Sequence, residues 1–180
     1  YWNNYKNEEL DIMKNYNVDK IKAQFPALNR IIWDKPLVYL DSAASMQKPQ
    51  KVLDAIQSSY SYNYSNVHRG LHKLSEEATS DYEGARKKIA NFINCSEKEV
   101  IFTSGATAAI NLIAYSWGLK NLLPGDEIII TIAEHHANIV PWQIIAQQKD
   151  VKIIAANIIP DEDFNSEIIK NLVTDNTKII

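Results

Sequence analysis

All four histidines of the chain fall in two short segments, Val67-His-Arg-Gly-Leu-His72 and Ala133-Glu-His-His-Ala-Asn138. An imidazole can stack on a flat aromatic ligand, relay a proton or bind a metal. His68 and His72 are four apart, a spacing that on a helix would place both on one side, but no third ligand at a matching spacing accompanies them. Arg69, between them, can pair bidentately with a carboxylate, or simply be a solvated surface residue. A third segment, Thr103-Ser-Gly-Ala-Thr107, joins an expected strand to an expected helix. Gly105 allows a tight turn there. The free N–H groups of the helix start, with the Ser104 and Thr107 hydroxyls, would cradle one phosphate. It is not a Walker loop, because no Gly-Lys-Ser/Thr follows, and it carries no GxGxxG. Both segments also have plainer readings: an ordinary strand-to-helix turn, and a surface loop whose Asn138 caps the next helix. Cys95 has only Lys98 as a nearby cation and reads as a small buried hydrophobe.

The elements that would position these residues can be read from periodicity. A short helix is expected from Val18 to Gln24, stopped by Pro26. Leu37–Leu40 reads as a strand entering the small-residue turn Asp41–Ser45. Pro49 suits the first turn of a helix with an apolar stripe of Val52, Ala55, Ile56 and Tyr60. After a loop from Asn63 to Gly70, Leu71, Leu74, Ala78, Tyr82, Ala85, Ile89 and Phe92 recur at steps of three and four, predicting a long amphipathic helix. Gly84 interrupts it at a cost of about 1 kcal/mol, which predicts a packing reason. Ser96-Glu-Lys-Glu99 is a capped turn. Strands then follow at Val100–Thr103, Glu127–Ile132, Val151–Ala156 and Thr177–Ile180. Helices at Thr107–Trp117, Asn138–Gln148 and from an Asn165 cap to about Val173 alternate with them. Ile-rich strands alternating with helices predict an α/β fold with a mostly parallel sheet and helices on both faces. In such sheets ligands bind at the carboxyl ends of the strands, where the Thr103–Thr107 and Ala133–Asn138 segments would lie. A chain ending on a buried-type strand is expected to be the N-terminal part of a larger domain.

Composition sets the outer limits. The 180 residues are 46% hydrophobic and 23% charged, close to the globular average. At this size about 70% of the extended-chain surface would be buried on folding. A net charge of -3 leaves no basic footprint for nucleic acid. No apolar run reaches the ~18 residues of a membrane span. A single cysteine excludes an internal disulfide framework and fits a reducing compartment. Residues 1–17 read as a polar N-terminal extension, lacking the character of a transit or signal peptide. Residues 18–70 form an N-terminal segment of helices, short strand and loop, and residues 71–180 the first part of the α/β domain.

Taken together and in order, several stretches resemble the pyridoxal phosphate (PLP)-dependent cysteine desulfurases of the class V aminotransferase group, most nearly the SUF-type branch. They are Phe25-Pro-Ala-Leu28, Val38-Tyr-Leu-Asp-Ser-Ala-Ala-Ser45 with Gln47-Lys-Pro49, Val67–His72, Ile110-Asn-Leu112 with Ser116-Trp-Gly118, and Glu134-His-His-Ala-Asn-Ile-Val-Pro-Trp-Gln143. The last is long and specific. The resemblance implies a partial large domain of the type I PLP-dependent transferase fold, usually homodimeric. It implies removal of sulfur from L-cysteine, giving L-alanine and a persulfide on an active-site cysteine. That sulfur would pass to an acceptor protein of the SUF system for iron–sulfur cluster assembly. It also implies a compartment: the cytoplasm if the source is bacterial, a plastid-type organelle if eukaryotic. By the same resemblance Gly105, Ala106 and Thr107 bind the cofactor phosphate. His135 stacks on the cofactor ring and handles protons. His68 and Arg69 lie on the substrate side, with Ala43 and Ala44 as a wall near the cofactor.

Two departures qualify this picture. The family's phosphate turn commonly reads Arg-Gly-Thr-Thr-Glu, whereas here it is Ser104-Gly-Ala-Thr-Ala108, which removes a hydroxyl at Ala106 and a charged side chain at Ala108. The Schiff-base lysine, the aspartate facing the pyridine nitrogen and the persulfide cysteine would lie beyond Ile180, so the 180 residues alone are expected to be inactive. A selenocysteine lyase, a non-catalytic relative with a decayed cofactor site and a small histidine-based metal module are the alternatives.

Overall fold

The computed structural model describes residues 16–157 and 166–180. Most of the expected N-terminal extension and the expected Asn165 cap lie outside these residues. The chain divides into two compact units, residues 1–100 and 101–180.

The first unit begins with helix α1 (Val18–Lys22), whose first turn is capped by the Asn17 side chain accepting from Lys20 N–H at 2.8 Å. A two-residue hairpin follows, β1 (Ile31–Ile32) against β2 (Lys35–Pro36). Trp33 and Asp34 at its tip both have left-handed backbones, φ 50° and 58°, which is the twist that a two-residue hairpin requires. Leu37–Leu40, expected as a strand, belongs to no ladder: pairing stops at Pro36, and beyond it only Leu37 N–H reaches back, to Arg30 O at 2.9 Å. Helix α2 (Gln50–Ser58) starts immediately after Pro49.

Helix α3 (Lys73–Phe92) is the long helix that the periodicity predicts. Its apolar stripe is not buried within the described unit: Leu71, Leu74, Ile89 and Phe92 are all exposed. What the unit packs instead is a polar ridge. Ser75, 1% exposed, donates from Oγ to Asn66 O at 2.5 Å and accepts from Gly70 N–H at 3.0 Å. Thr79 Oγ1 accepts from His68 N–H at 2.8 Å, and Asn63 Nδ2 donates to Asp81 at 2.9 Å. This ridge ties the loop before α3 to the helix, so the expected boundary at residues 70/71 falls inside the first unit. Gly70 has a packing reason: a Cβ there would stand 2.4 Å from the Ser75 Cβ. Gly84 has none among the described residues, with nothing of theirs within 4 Å of where its Cβ would be. The helix ends at the left-handed Asn94, φ 56°, and Cys95 N–H bonds back to Ala90 O at 2.9 Å. Cys95 is therefore half-buried at a helix stop, its thiol within 3.5 Å of Ser96 O. Ser96 and Glu99 form the expected capping box.

At the boundary of the two units, Val100–Thr103 is another expected strand that has no ladder partner among the described residues. Helix α4 (Ala106–Ile113) loosens into a π-type turn over Ala114–Gly118. The turn at Pro124-Gly125 is held by Asp126 Oδ2, which accepts from Leu123 N–H at 2.8 Å. Strand β3 (Glu127–Thr131), helix α5 (Val140–Lys149) and strand β4 (Lys152–Ala156) then form one parallel β–α–β unit. A short helix α6 (Ser166–Lys170) precedes β5 (Thr177–Ile179). The sheet order is β4-β3-β5, with both pairings parallel, so β3 is central. Ile128 and Ile130, on one face of β3, meet Ala114, Leu122, Trp142, Ile145 and Ala146 in the core. Alternate residues face opposite ways on a strand, so Ile129, 2% exposed, buries the other face. The described residues thus form a mixed α/β fold built on a parallel sheet. No described helix is long and apolar enough to cross a membrane.

Candidate functional site

The central position of β3 decides where the second unit can bind a ligand. Its carboxyl end leads straight into Ile132–Asn138, and His136–Asn138 forms one tight helical turn. His135 precedes that turn and caps it, Nδ1 accepting from Ala137 N–H at 3.1 Å. The neutral ring then carries its proton on Nε2, and the exposed imidazole is fixed at one nitrogen. His136 meets it edge-on, ring centroids 6.4 Å apart.

A chain of side chains anchors the same turn. Glu134 accepts from Thr131 Oγ1 at 3.2 Å and from Asn138 Nδ2 at 3.0 Å. Asn138 Oδ1 in turn accepts from the indole N–H of Trp142 at 3.0 Å. Asn138 therefore does not cap α5, whose cap position is Ile139, with no side-chain bond. It ties the strand end to the buried Trp142 instead. Sequence reasoning missed Glu134 and Trp142 as supports; the four-residue spacing of Glu134, Asn138 and Trp142 was the available signal. Beside this network a cavity of about 460 Å³ is lined by Ile128, Ile130, Glu134, Asn138, Trp142 and Ile179, among others.

Helix α4 packs against the His136–Asn138 turn. Its first N–H groups, at Ala106, Thr107 and Ala108, have no acceptor among the described residues, and neither do the Ser104 and Thr107 hydroxyls. Gly105 is extended, and its missing Cβ leaves open space within 4 Å. One anionic group such as a phosphate fits this set: three amide donors, the Ser104 and Thr107 hydroxyls and room for close approach. Thr103 Oγ1 fixes the turn by donating to Gly105 O at 3.0 Å.

Four of the predicted residues belong to the first unit. Ala43 and Ala44 are exposed in a turn closed by Ser45 N–H to Asp41 O at 3.0 Å. The Tyr39 hydroxyl bonds across it to the Ser45 carbonyl. His68 lies in the loop before α3 and His72 at that helix's cap position, so the two do not share a helix face. Nor do three or more His, Cys, Asp or Glu side chains gather to hold a metal among the described residues. Arg69 is exposed. His68 is held by Glu83: Nε2–H donates to Oε1 at 2.7 Å, while Arg86 Nε donates to Oε2 at 2.9 Å. The hydrogen bond from His68 is the largest influence holding the Glu83 carboxyl below its ordinary value; burial opposes it, and Arg86 adds to it. No pattern in the sequence marked Glu83, fifteen positions from His68.

The family model for class-V aminotransferases matches residues 38–180. The chain belongs to the class-V aminotransferase family. Among its class-V relatives is a probable cysteine desulfurase of Vibrio cholerae, 49% identical over 91% of this chain and 41% of that protein. The Escherichia coli cysteine desulfurase CsdA, solved in its S-sulfonic acid form, superposes with a TM-score of 0.75 at 37% identity, covering 91% of this chain and 40% of CsdA. An apo cysteine desulfurase from Thermococcus onnurineus gives 0.77 at 29% identity, covering 87% and 37%. This chain thus spans about two fifths of the length of the relatives it matches.

Proposed function

We propose that this class-V chain is part of a PLP-dependent cysteine desulfurase. The observation that carries the reading is the packing of α4, with its unspent N–H groups, against the turn that holds His135. A phosphate donor set and a flat imidazole then belong to one small region at the end of the central strand, as a phosphorylated aromatic cofactor requires. The names of the relatives support the same reading.

PLP, when bound, supplies an electron sink for chemistry at the carbon bearing the amino group. The residues of this chain do the rest of the work assigned to them here. Ala106, Thr107 and Ala108 donate amide hydrogens to the phosphate, and the Thr107 hydroxyl adds one more. His135 stacks on the ring and presents Nε2 as its one free nitrogen, the position at which it would hold or pass a proton. The sequence resemblance assigns His68 and Arg69 to the substrate, and the exposed Arg69 guanidinium would suit a carboxylate. The sequence resemblance assigns Ala43 and Ala44 to the surroundings of the cofactor. L-Cysteine is the substrate in this reading, L-alanine the product, and the sulfur passes through an enzyme persulfide to an acceptor protein. Assignment to the SUF branch, to iron–sulfur cluster assembly and to a homodimer rests on the motifs of the sequence.

The test is made on the full-length gene product. Its intact mass is measured first, followed by the visible spectrum of bound PLP and alanine release from L-cysteine and from L-selenocysteine. Bound PLP with alanine from cysteine is expected. Alanine from selenocysteine alone would make it a lyase. Protein that retains no PLP would make it a non-catalytic relative, the reading that Ala106 and Ala108 favour.

A further inference from the structure

His68 is fixed at more points than an exposed loop residue needs. Its backbone is left-handed, φ 70°, a conformation unfavourable for any residue with a Cβ. Its N–H is taken by Thr79 Oγ1 at 2.8 Å and its ring by Glu83 at 2.7 Å. A carboxylate only accepts, so the proton in the ring bond belongs to Nε2. Glu83 is itself immobilised by Arg86 Nε at 2.9 Å. Arg86 is anchored in turn by the Val100 carbonyl and lies 5.1 Å over the Tyr82 ring, against which the His68 ring stands edge-on at 5.6 Å. His68, Tyr82, Glu83 and Arg86 thus form one connected set, reached from α3 at positions that share one helix face with Thr79. The other side of the loop is locked by Ser75 at Asn66 and Gly70.

We propose that Glu83 is a positioning residue that holds His68 in the Nε2–H tautomer and leaves Nδ1 as the ring's one acceptor. Nδ1 has no partner among the described residues. With the Arg69 guanidinium one residue away, the loop then offers one acceptor and one bidentate cation. That combination matches an α-amino acid, whose carboxylate pairs with Arg69 and whose ammonium or thiol hydrogen is taken by Nδ1. The choice of ligand rests on the desulfurase reading; the tautomer does not.

The experiment uses the PLP-loaded enzyme with 15N-labelled histidine, as wild type, Glu83→Gln and Glu83→Asp. Ring 15N shifts of His68 report the tautomer directly. The wild type should show Nε2–H alone, Glu83→Gln a mixture, and Glu83→Asp a return toward the wild-type pattern. For Glu83→Gln the KM for L-cysteine should rise about five- to tenfold with a smaller change in kcat. Identical His68 shifts in wild type and Glu83→Gln overturn the proposal, whatever the rates. A wild-type enzyme with the expected tautomer but no turnover of cysteine defeats the desulfurase reading and leaves Glu83 in its positioning role.

Discussion

The indole N–H of Trp142 donates to Asn138 Oδ1 at 3.0 Å, joining a helix that packs on the sheet to the turn at the end of β3. Trp142 is 6% exposed, so its N–H has no ready substitute in water. Asn138→Ala removes that acceptor and the donor to Glu134 together. A buried donor left unsatisfied costs about 1–3 kcal/mol. Urea unfolding of the variant should show a loss of that size. A second effect should appear at His135, since its turn loses the tie to Glu134, and PLP should bind more weakly. An unfolding midpoint equal to wild type would contradict this account of Asn138.

Acid should weaken the first unit through Glu83. Its carboxyl sits below the ordinary value, first because of the His68 hydrogen bond and then because of Arg86, with burial working against both. A carboxyl depressed in the folded state adds stability that is complete above its unfolded value, near 4.5, and is lost as pH falls through the lower folded value. Stability measured by urea between neutral pH and strong acid should therefore fall below that point. Glu83→Gln, with nothing to protonate, should flatten this part of the curve. A wild-type and variant curve of identical shape would show that Glu83 contributes nothing to it.

Ala106 and Thr107 bear on cofactor affinity in opposite directions. Thr107→Ala removes one of the two hydroxyls that the cradle offers, and a hydrogen bond to a charged group is worth about 1.5–3 kcal/mol. The Kd for PLP, read by titrating the apoenzyme in visible absorbance, should rise roughly 10- to 150-fold. Ala106→Thr adds a hydroxyl at the helix start and should tighten binding. Unchanged affinity in both variants would place the phosphate elsewhere.

Two glycines of the same unit should respond oppositely to alanine. Gly70→Ala puts a Cβ 2.4 Å from the Ser75 Cβ and should destabilise by about 1–3 kcal/mol while displacing His68 and Arg69. Gly84→Ala meets nothing within 4 Å and should stabilise the helix by up to about 1 kcal/mol. Thermal unfolding of the pair is the check, and destabilisation by Gly84→Ala would reveal a neighbour that the described residues do not supply.

The β3–α5–β4 unit was legible because its signals are local: an Ile-rich run, a Pro-Gly turn before it, and helical spacing after it. The capping box at Ser96 was legible for the same reason. Leu37–Leu40 and Val100–Thr103 have strand-like composition, but a strand exists only where a partner offers a ladder, and sequence spacing carries no partner. The stripe on α3 showed which face is apolar, not whether anything covers it, and among the described residues the polar ridge does the packing. The candidate cradle and the His135 segment were legible because each lies on one continuous stretch of chain. Supporting residues were not: Glu83, backed by Arg86, reaches His68 across a loop and three turns of helix, and Asn138, placed like a helix cap, bonds instead to Glu134 and Trp142.

The cap that His135 makes has a consequence for how it can act. A doubly protonated imidazole has two donors and no acceptor, so Nδ1 cannot bind a proton and receive the Ala137 N–H at once. A second proton would cost that one bond, while Asn138 N–H to His135 O at 2.8 Å and the Glu134–Asn138 pair still hold the turn. The backbone that places His135 thus also selects which of its two nitrogens is left to meet a ligand.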